Sequence, residues 1–123
     1  MKYDKNNIFA KIIRGEIASN KVFEDDDILA FHDVSKAAPV HVLVIPKGEF
    51  IDFADFSNNC DQKKLVNFFK KVAKIAKMLD LQDSGYRIIS NTGADASQSV
   101  KHFHIHILGK KKLGALVVGD KAH

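Results

Sequence analysis

Between His102 and Leu108 the chain reads His-Phe-His-Ile-His-Ile-Leu, with His102, His104 and His106 on one parity and Phe103, Ile105 and Ile107 on the other. A helix returns its side chains to one face every three or four residues, whereas a strand sends successive side chains to opposite faces. The spacing therefore predicts a strand over His102 to Leu108, three imidazoles on one face and a core-facing stripe on the other. Half of the chain's six histidines lie on that face. Histidine is the side chain whose ordinary pKa lies nearest neutrality, so such a face suits acid–base, nucleophilic or metal chemistry.

The frame for this strand is small. A length of 123 residues predicts a single domain over 1–123. Hydrophobic residues at 46% and charged residues at 28% exclude a disordered tail and require a packed core. No apolar run approaches the roughly 18 residues of a membrane helix. The start Met1-Lys2-Tyr3-Asp4-Lys5 leads into no signal-type segment, so the expectation is a cytoplasmic protein with no membrane contact. Cys60 is the only cysteine, which excludes an internal disulfide and a cysteine zinc clamp. Net charge is +4, but Lys63, Lys64, Lys70, Lys71, Lys74 and Lys77 fall in one helical stretch without stacking aromatics. They read as a solvated helix face, and no DNA or RNA binding is expected.

Ile8, Phe9, Ile12, Ile13 and Ile17 recur at helical spacing, with Asn6 as a cap and Gly15 near the end. Lys21 to Glu24 and Ile28 to Asp33 read as strands around the turn Asp25-Asp26-Asp27, which lacks the pattern of a calcium loop. Val40 to Ile45 is a third strand, stopped by Pro46. Asp61 to Leu79 carries an amphipathic stripe behind a capping-box-like Asn59 and Gln62. Tyr86 to Asn91 and the histidine segment complete five strands. Short turns between them favour an antiparallel sheet with helices over one face, an α+β fold.

Alternate strand positions put neighbouring imidazoles about 7 Å apart at the backbone and the outer pair roughly 13 Å apart. A single ion would more naturally take two of the three plus a ligand such as His41. His41 also reads as a buried structural histidine, since a polar group in an apolar strand needs a partner. His32 and His123 read as structural or exposed. The loop before the histidines, Thr92-Gly93-Ala94-Asp95-Ala96-Ser97-Gln98-Ser99, is small and polar, so its backbone N–H groups can approach an anion closely. Neither GxxxxGK[ST] nor GxGxxG is present.

The segment from Gln98-Ser99-Val100 through His102, His104 and His106 to Ile107-Leu108-Gly109 closely resembles the histidine triad (HIT) motif, HxHxHxx with apolar x. Ile8 to Ile17, Ala30 to Ser35 and Ala38 to Lys47 extend the likeness over a core of about 6–109, leaving 110–123 as a C-terminal tail. The branch it most resembles is the Hint-like, histidine triad nucleotide-binding group. The resemblance implies a HIT-like fold with one long and one short helix, the sheet continued across a two-fold homodimer whose interface uses the long helix and the Tyr86 to Asn91 strand. It implies a purine nucleoside phosphoramidase that cleaves AMP- or GMP-amine conjugates through a covalent nucleotidyl-histidine intermediate, with no cofactor and no metal. The alternatives are a nucleotide-binding regulatory protein with vestigial catalysis, a histidine-based metal protein, and a dinucleoside polyphosphate hydrolase. Gly109-Lys110, where the last group has Pro-Arg, argues against it.

By the same resemblance, His104 attacks the α-phosphorus, the His102 backbone carbonyl supports it, His106 contacts phosphate oxygens, and Ser99 bonds the leaving group. His41 joins the proton network. Asp33 would accept from the ribose hydroxyls beside Val34. Asn91 and the Ser97-Gln98-Ser99 backbone would hold phosphate, and Phe9, Ile12, Phe31 and Ile8 would form the base slot. The chain departs from the family at Ser97, often Gly, at Lys101, commonly aromatic, and in a tail without Trp.

Overall fold

The computed structural model describes residues 2–120; His123 lies outside them. The elements run α1 (Ile8–Ile13), β1 (Lys21–Glu24), β2 (Ile28–His32), β3 (Val40–Pro46), α2 (Phe53–Asn59), α3 (Gln62–Met78), β4 (Tyr86–Ile89) and β5 (Ile105–Gly109). The strands form one sheet in the order β1-β2-β3-β5-β4, every neighbouring pair antiparallel. This is the α+β architecture expected.

The helices do not share one face. β2 and β3 are apolar at successive positions, Ile28-Leu29-Ala30-Phe31 and Val42-Leu43-Val44-Ile45, and all eight side chains are buried. A strand with that pattern needs cover on both faces. On one face Ile28, Ala30, Val42, Val44, Ile105 and Ile107 pack against Phe56 of α2 and Phe68, Val72 and Ile75 of α3. On the other, Leu29, Phe31, Leu43 and Ile45 pack against Phe9 and Ile12 of α1. Cover by α1 brings Phe9 onto the face that carries the histidines.

Several boundaries differ from the sequence reading: α1 ends at Ile13, β2 at His32 rather than Asp33, and β4 at Ile89 rather than Asn91. Asn7, not Asn6, caps α1: its side chain accepts from the Ala10 N–H at 2.9 Å. Asp61 caps α3 by accepting from the Lys64 N–H at 3.2 Å, while Asn59 closes α2, a helix the spacing had not suggested. β3 includes Pro46, which pairs with Ile28 at the ladder's end, where a missing N–H costs nothing. Gly109 ends β5 under Leu81, where an added Cβ would stand 2.6 Å from Leu81 Cδ2. Among the described residues no helix is long and apolar enough to cross a membrane.

Candidate active site

The strand expected over His102 to Leu108 is shortened at its start: β5 begins only at Ile105, so His102, in a bend, and His104 stand just before it and His106 inside it. Phe103 anchors that segment from the opposite face. Its N–H donates to the Phe50 carbonyl at 2.7 Å, and its ring stacks on Phe56 with centroids 4.6 Å apart. His102 and His104 are buried, and His104 stands 5.0 Å from the Phe9 ring and 5.1 Å from the His106 ring. In the β3–β5 register His41 lies opposite Leu108 and Leu43 opposite His106. His41 and His106 are thus diagonal neighbours on one face, close enough for side chains to bond.

The partners of the imidazoles decide which nitrogen carries each proton. A backbone carbonyl accepts only, and a backbone N–H donates only. His104 Nδ1 is 2.7 Å from the His102 carbonyl, so Nδ1 is protonated and Nε2 keeps its lone pair. His102 Nε2 is 2.8 Å from the Pro46 carbonyl and must donate, so His102 Nδ1 accepts from the Tyr3 hydroxyl at 2.6 Å. The Ala37 N–H donates to His41 Nδ1 at 3.0 Å, which leaves the proton on His41 Nε2. His41 Nε2 donates in turn to His106 Nδ1 at 2.9 Å, so His106 carries its proton on Nε2. The cluster thus presents one bare nitrogen, on His104, beside one donor, on His106.

These assignments require neutral rings, and the surroundings favour them. Burial lowers the pKa of His102 to about 4, and burial with the neighbouring His104 and His41 lowers that of His106 to about 4. Burial lowers His104 as well, against the His102 carbonyl and Asp33, which favour its charged form. His41 is lowered by burial although Asp33 Oδ2 stands 3.4 Å from its Nε2.

A metal fits this donor set poorly. Asp33, His41 and His106 bring ligand atoms within 4.8 Å of one another. An ion on His41 Nε2 would force the remaining proton onto Nδ1, against the Ala37 N–H that already points there. His102 has both nitrogens engaged. The set is better suited to a hydrogen-bond chain than to coordination.

The other expected residues divide into those at the cluster and those supporting it. Asp33 borders the cluster, and its Oδ1 accepts from the Ser35 N–H at 2.8 Å. Val34 is wholly exposed and packs on nothing. Phe9, Ile12 and Phe31 are buried in the core of this face, whereas Ile8 leaves 46% of its surface open. Within the small-residue loop the N–H groups of Ser97 and Gln98 bond to the Ala94 and Gly93 carbonyls. The buried Gln98 side chain accepts from the Gly93 N–H and donates to the Ile51 and Val100 carbonyls. Gln98 is therefore the brace of the loop. Ser99 is exposed and Asn91 half-buried, and the Ser99 N–H has no internal partner among the described residues. Sequence reasoning missed Tyr3, Ala37 and the Pro46 carbonyl. The last two act through backbone atoms, which no side-chain pattern announces.

An antiparallel α+β sheet carries linked imidazoles, one of them with an unpartnered ring nitrogen able to act as a base or a nucleophile. The HIT domain family model matches residues 14–113, and the chain belongs to that family. It is 45% identical to a HIT-like protein of Azospirillum brasilense, covering 94% of both chains. It is 40% identical to the purine nucleoside phosphoramidase of Escherichia coli K12, covering 92% of this chain and 94% of that protein. Among solved structures, a histidine triad protein from Clostridium difficile aligns with TM-score 0.84 and 40% identity over 95% of this chain and 100% of that one. A HIT family hydrolase from Legionella pneumophila aligns with TM-score 0.81 and 39% identity over 87% and 95%.

Proposed function

We propose that this protein hydrolyses purine nucleoside 5′-phosphoramidates, with His104 as the nucleophile. The observation that carries the reading is the bare Nε2 of a buried, neutral His104 whose Nδ1–H is held by the His102 carbonyl. The Escherichia coli relative named as a purine nucleoside phosphoramidase supports the substrate class.

In the first step the Nε2 lone pair attacks the α-phosphorus as the phosphorus–nitrogen bond to the amine breaks. The attacking ring becomes cationic, and its Nδ1–H then bonds a carbonyl more strongly than a neutral ring would. His106 Nε2–H faces the phosphoryl oxygens, where a preplaced donor stabilises developing charge. Ser99 bonds the departing nitrogen, which leaves as an amine with a proton taken from solvent, and the water that later attacks phosphorus returns one proton to solvent. Water then attacks phosphorus, the Nε2–phosphorus bond breaks, and the nucleoside monophosphate is released with His104 neutral again. Asp33 would take the ribose hydroxyls and the open face of Ile8 the base edge. Two copies would pair through β4 and α3, as in the homodimer the family resemblance implies.

The test is hydrolysis of an adenosine 5′-phosphoramidate. Wild-type protein should release AMP, and His104→Ala should lose turnover by about a thousandfold or more while still binding AMP. Undiminished turnover in His104→Ala would remove His104 from the mechanism. Ser99→Ala should slow amine-leaving substrates more than an aryl phosphate ester, and equal slowing would remove its leaving-group role.

A further inference from the structure

Tyr3 lies ahead of α1, 99 residues in sequence from the histidine it touches. The segment that carries it is tied down. The Asn6 N–H donates to Asp4 Oδ1 at 2.8 Å, Asn7 Nδ2 donates to the Asp4 carbonyl at 2.7 Å, and Arg14 Nη1 donates to the Lys5 carbonyl at 2.8 Å. Asn7 then caps the helix whose Phe9 ring packs against both His102 and His104. The segment acts as a strap across the buried end of the triad. Under it, the Tyr3 ring meets the His102 ring edge-on with centroids 5.6 Å apart, and its hydroxyl sits 2.6 Å from Nδ1.

We propose that Tyr3 is a positioning residue for the nucleophile: its hydroxyl donates to His102 Nδ1 and so fixes the residue whose backbone carbonyl aims His104. The route is continuous. With Nδ1 occupied by a donor, the His102 proton stays on Nε2 and bonds the Pro46 carbonyl. The opposite tautomer would turn a lone pair of Nε2 toward that carbonyl oxygen, and the two would repel. His102 is wholly buried, so its ring has no water to compensate a lost partner. The bonds from Tyr3 and to Pro46 pin the His102 ring on both sides and so restrict the residue whose carbonyl holds His104 Nδ1 at 2.7 Å. A preplaced nucleophile owes its rate to such alignment.

This inference rests on His104 being the nucleophile, and it is tested by Tyr3→Phe, which keeps the ring contact and deletes only the hydroxyl. Long-range nitrogen–proton NMR correlations identify the protonated nitrogen of each imidazole with no substrate present. In wild-type protein they should place the His102 proton on Nε2 alone. In Tyr3→Phe the Pro46 carbonyl still holds the proton on Nε2, so the His102 Nδ1 resonance should move toward that of an unbonded imine nitrogen and the His104 Nδ1–H resonance should shift with it, and kcat for the phosphoramidate should fall about tenfold with KM changed less than about twofold. Unchanged His102 Nδ1 and His104 Nδ1–H resonances in the variant, or an unchanged kcat, would overturn the proposal. Inactive wild-type protein would count against the phosphoramidase reading, while the NMR comparison would still decide whether Tyr3 holds His102.

Discussion

At the scale of single residues, burial favours the uncharged form of the clustered histidines. A histidine in an unfolded chain titrates near 6.5, while His102 and His106 in the fold titrate at about 4. Between those values the unfolded chain binds more protons than the native one. Stability therefore rises with pH through that window. The contribution is fully present above pH 6.5, is lost as pH falls toward 4, and is of the order of a few kcal/mol in total. Urea midpoints measured from pH 7.5 down to 4 should fall steadily below 6.5. A midpoint flat across this interval would mean that the cluster does not bury neutral rings. Burial lowers the pKa of His104 too, which favours the form that keeps a free lone pair.

The elements that present these residues owe their limits to capping, and α3 supplies a direct check. Asp61 accepts from the Lys64 N–H, one of the donors left open at a helix start. Asp61→Ala should cost about 1 kcal/mol, read as a lower thermal midpoint, and Asn59→Ala should cost distinctly less. The reverse order would return the start of the helix to Asn59. The sequence reading had placed the start there because Asn59 and Gln62 have capping-box spacing, a pattern that a nearby aspartate can outcompete. Period carried further than capping. Alternation located β5 and its histidines, and the apolar stripe located α3, because each reports a buried face directly. It failed for α2, where Phe56 alone is buried across seven residues, too few to establish a helical repeat. It also missed the second covered face, although the unbroken apolar runs of β2 and β3 carried that information. The bond from Tyr3 to His102 was not legible at all, since no local pattern joins residues 99 apart.

For the whole molecule, the sheet ends on one side at β4, and that edge bears on the proposed dimer. Ile88 pairs with Ile107 and Tyr86 with Gly109, so both side chains lie on the face that α3 covers further along the sheet. Yet Ile88 is 50% exposed and Tyr86 41%, while Val66, Phe69 and Met78 leave α3 similarly open. An apolar edge strand with unpaired backbone groups invites a second strand, and a two-fold pairing covers the same patch on both copies at once. Sedimentation of the wild-type protein at micromolar concentration should give twice the chain mass. Ile88→Lys places a charge at the centre of that contact and should weaken association by about tenfold or more. The histidine cluster belongs to the opposite face, so the tautomers of His102 and His104 should survive in the dissociated variant. A wild-type monomer would remove the pairing. A variant that dissociates and also loses the His102 tautomer would place the interface in contact with the site.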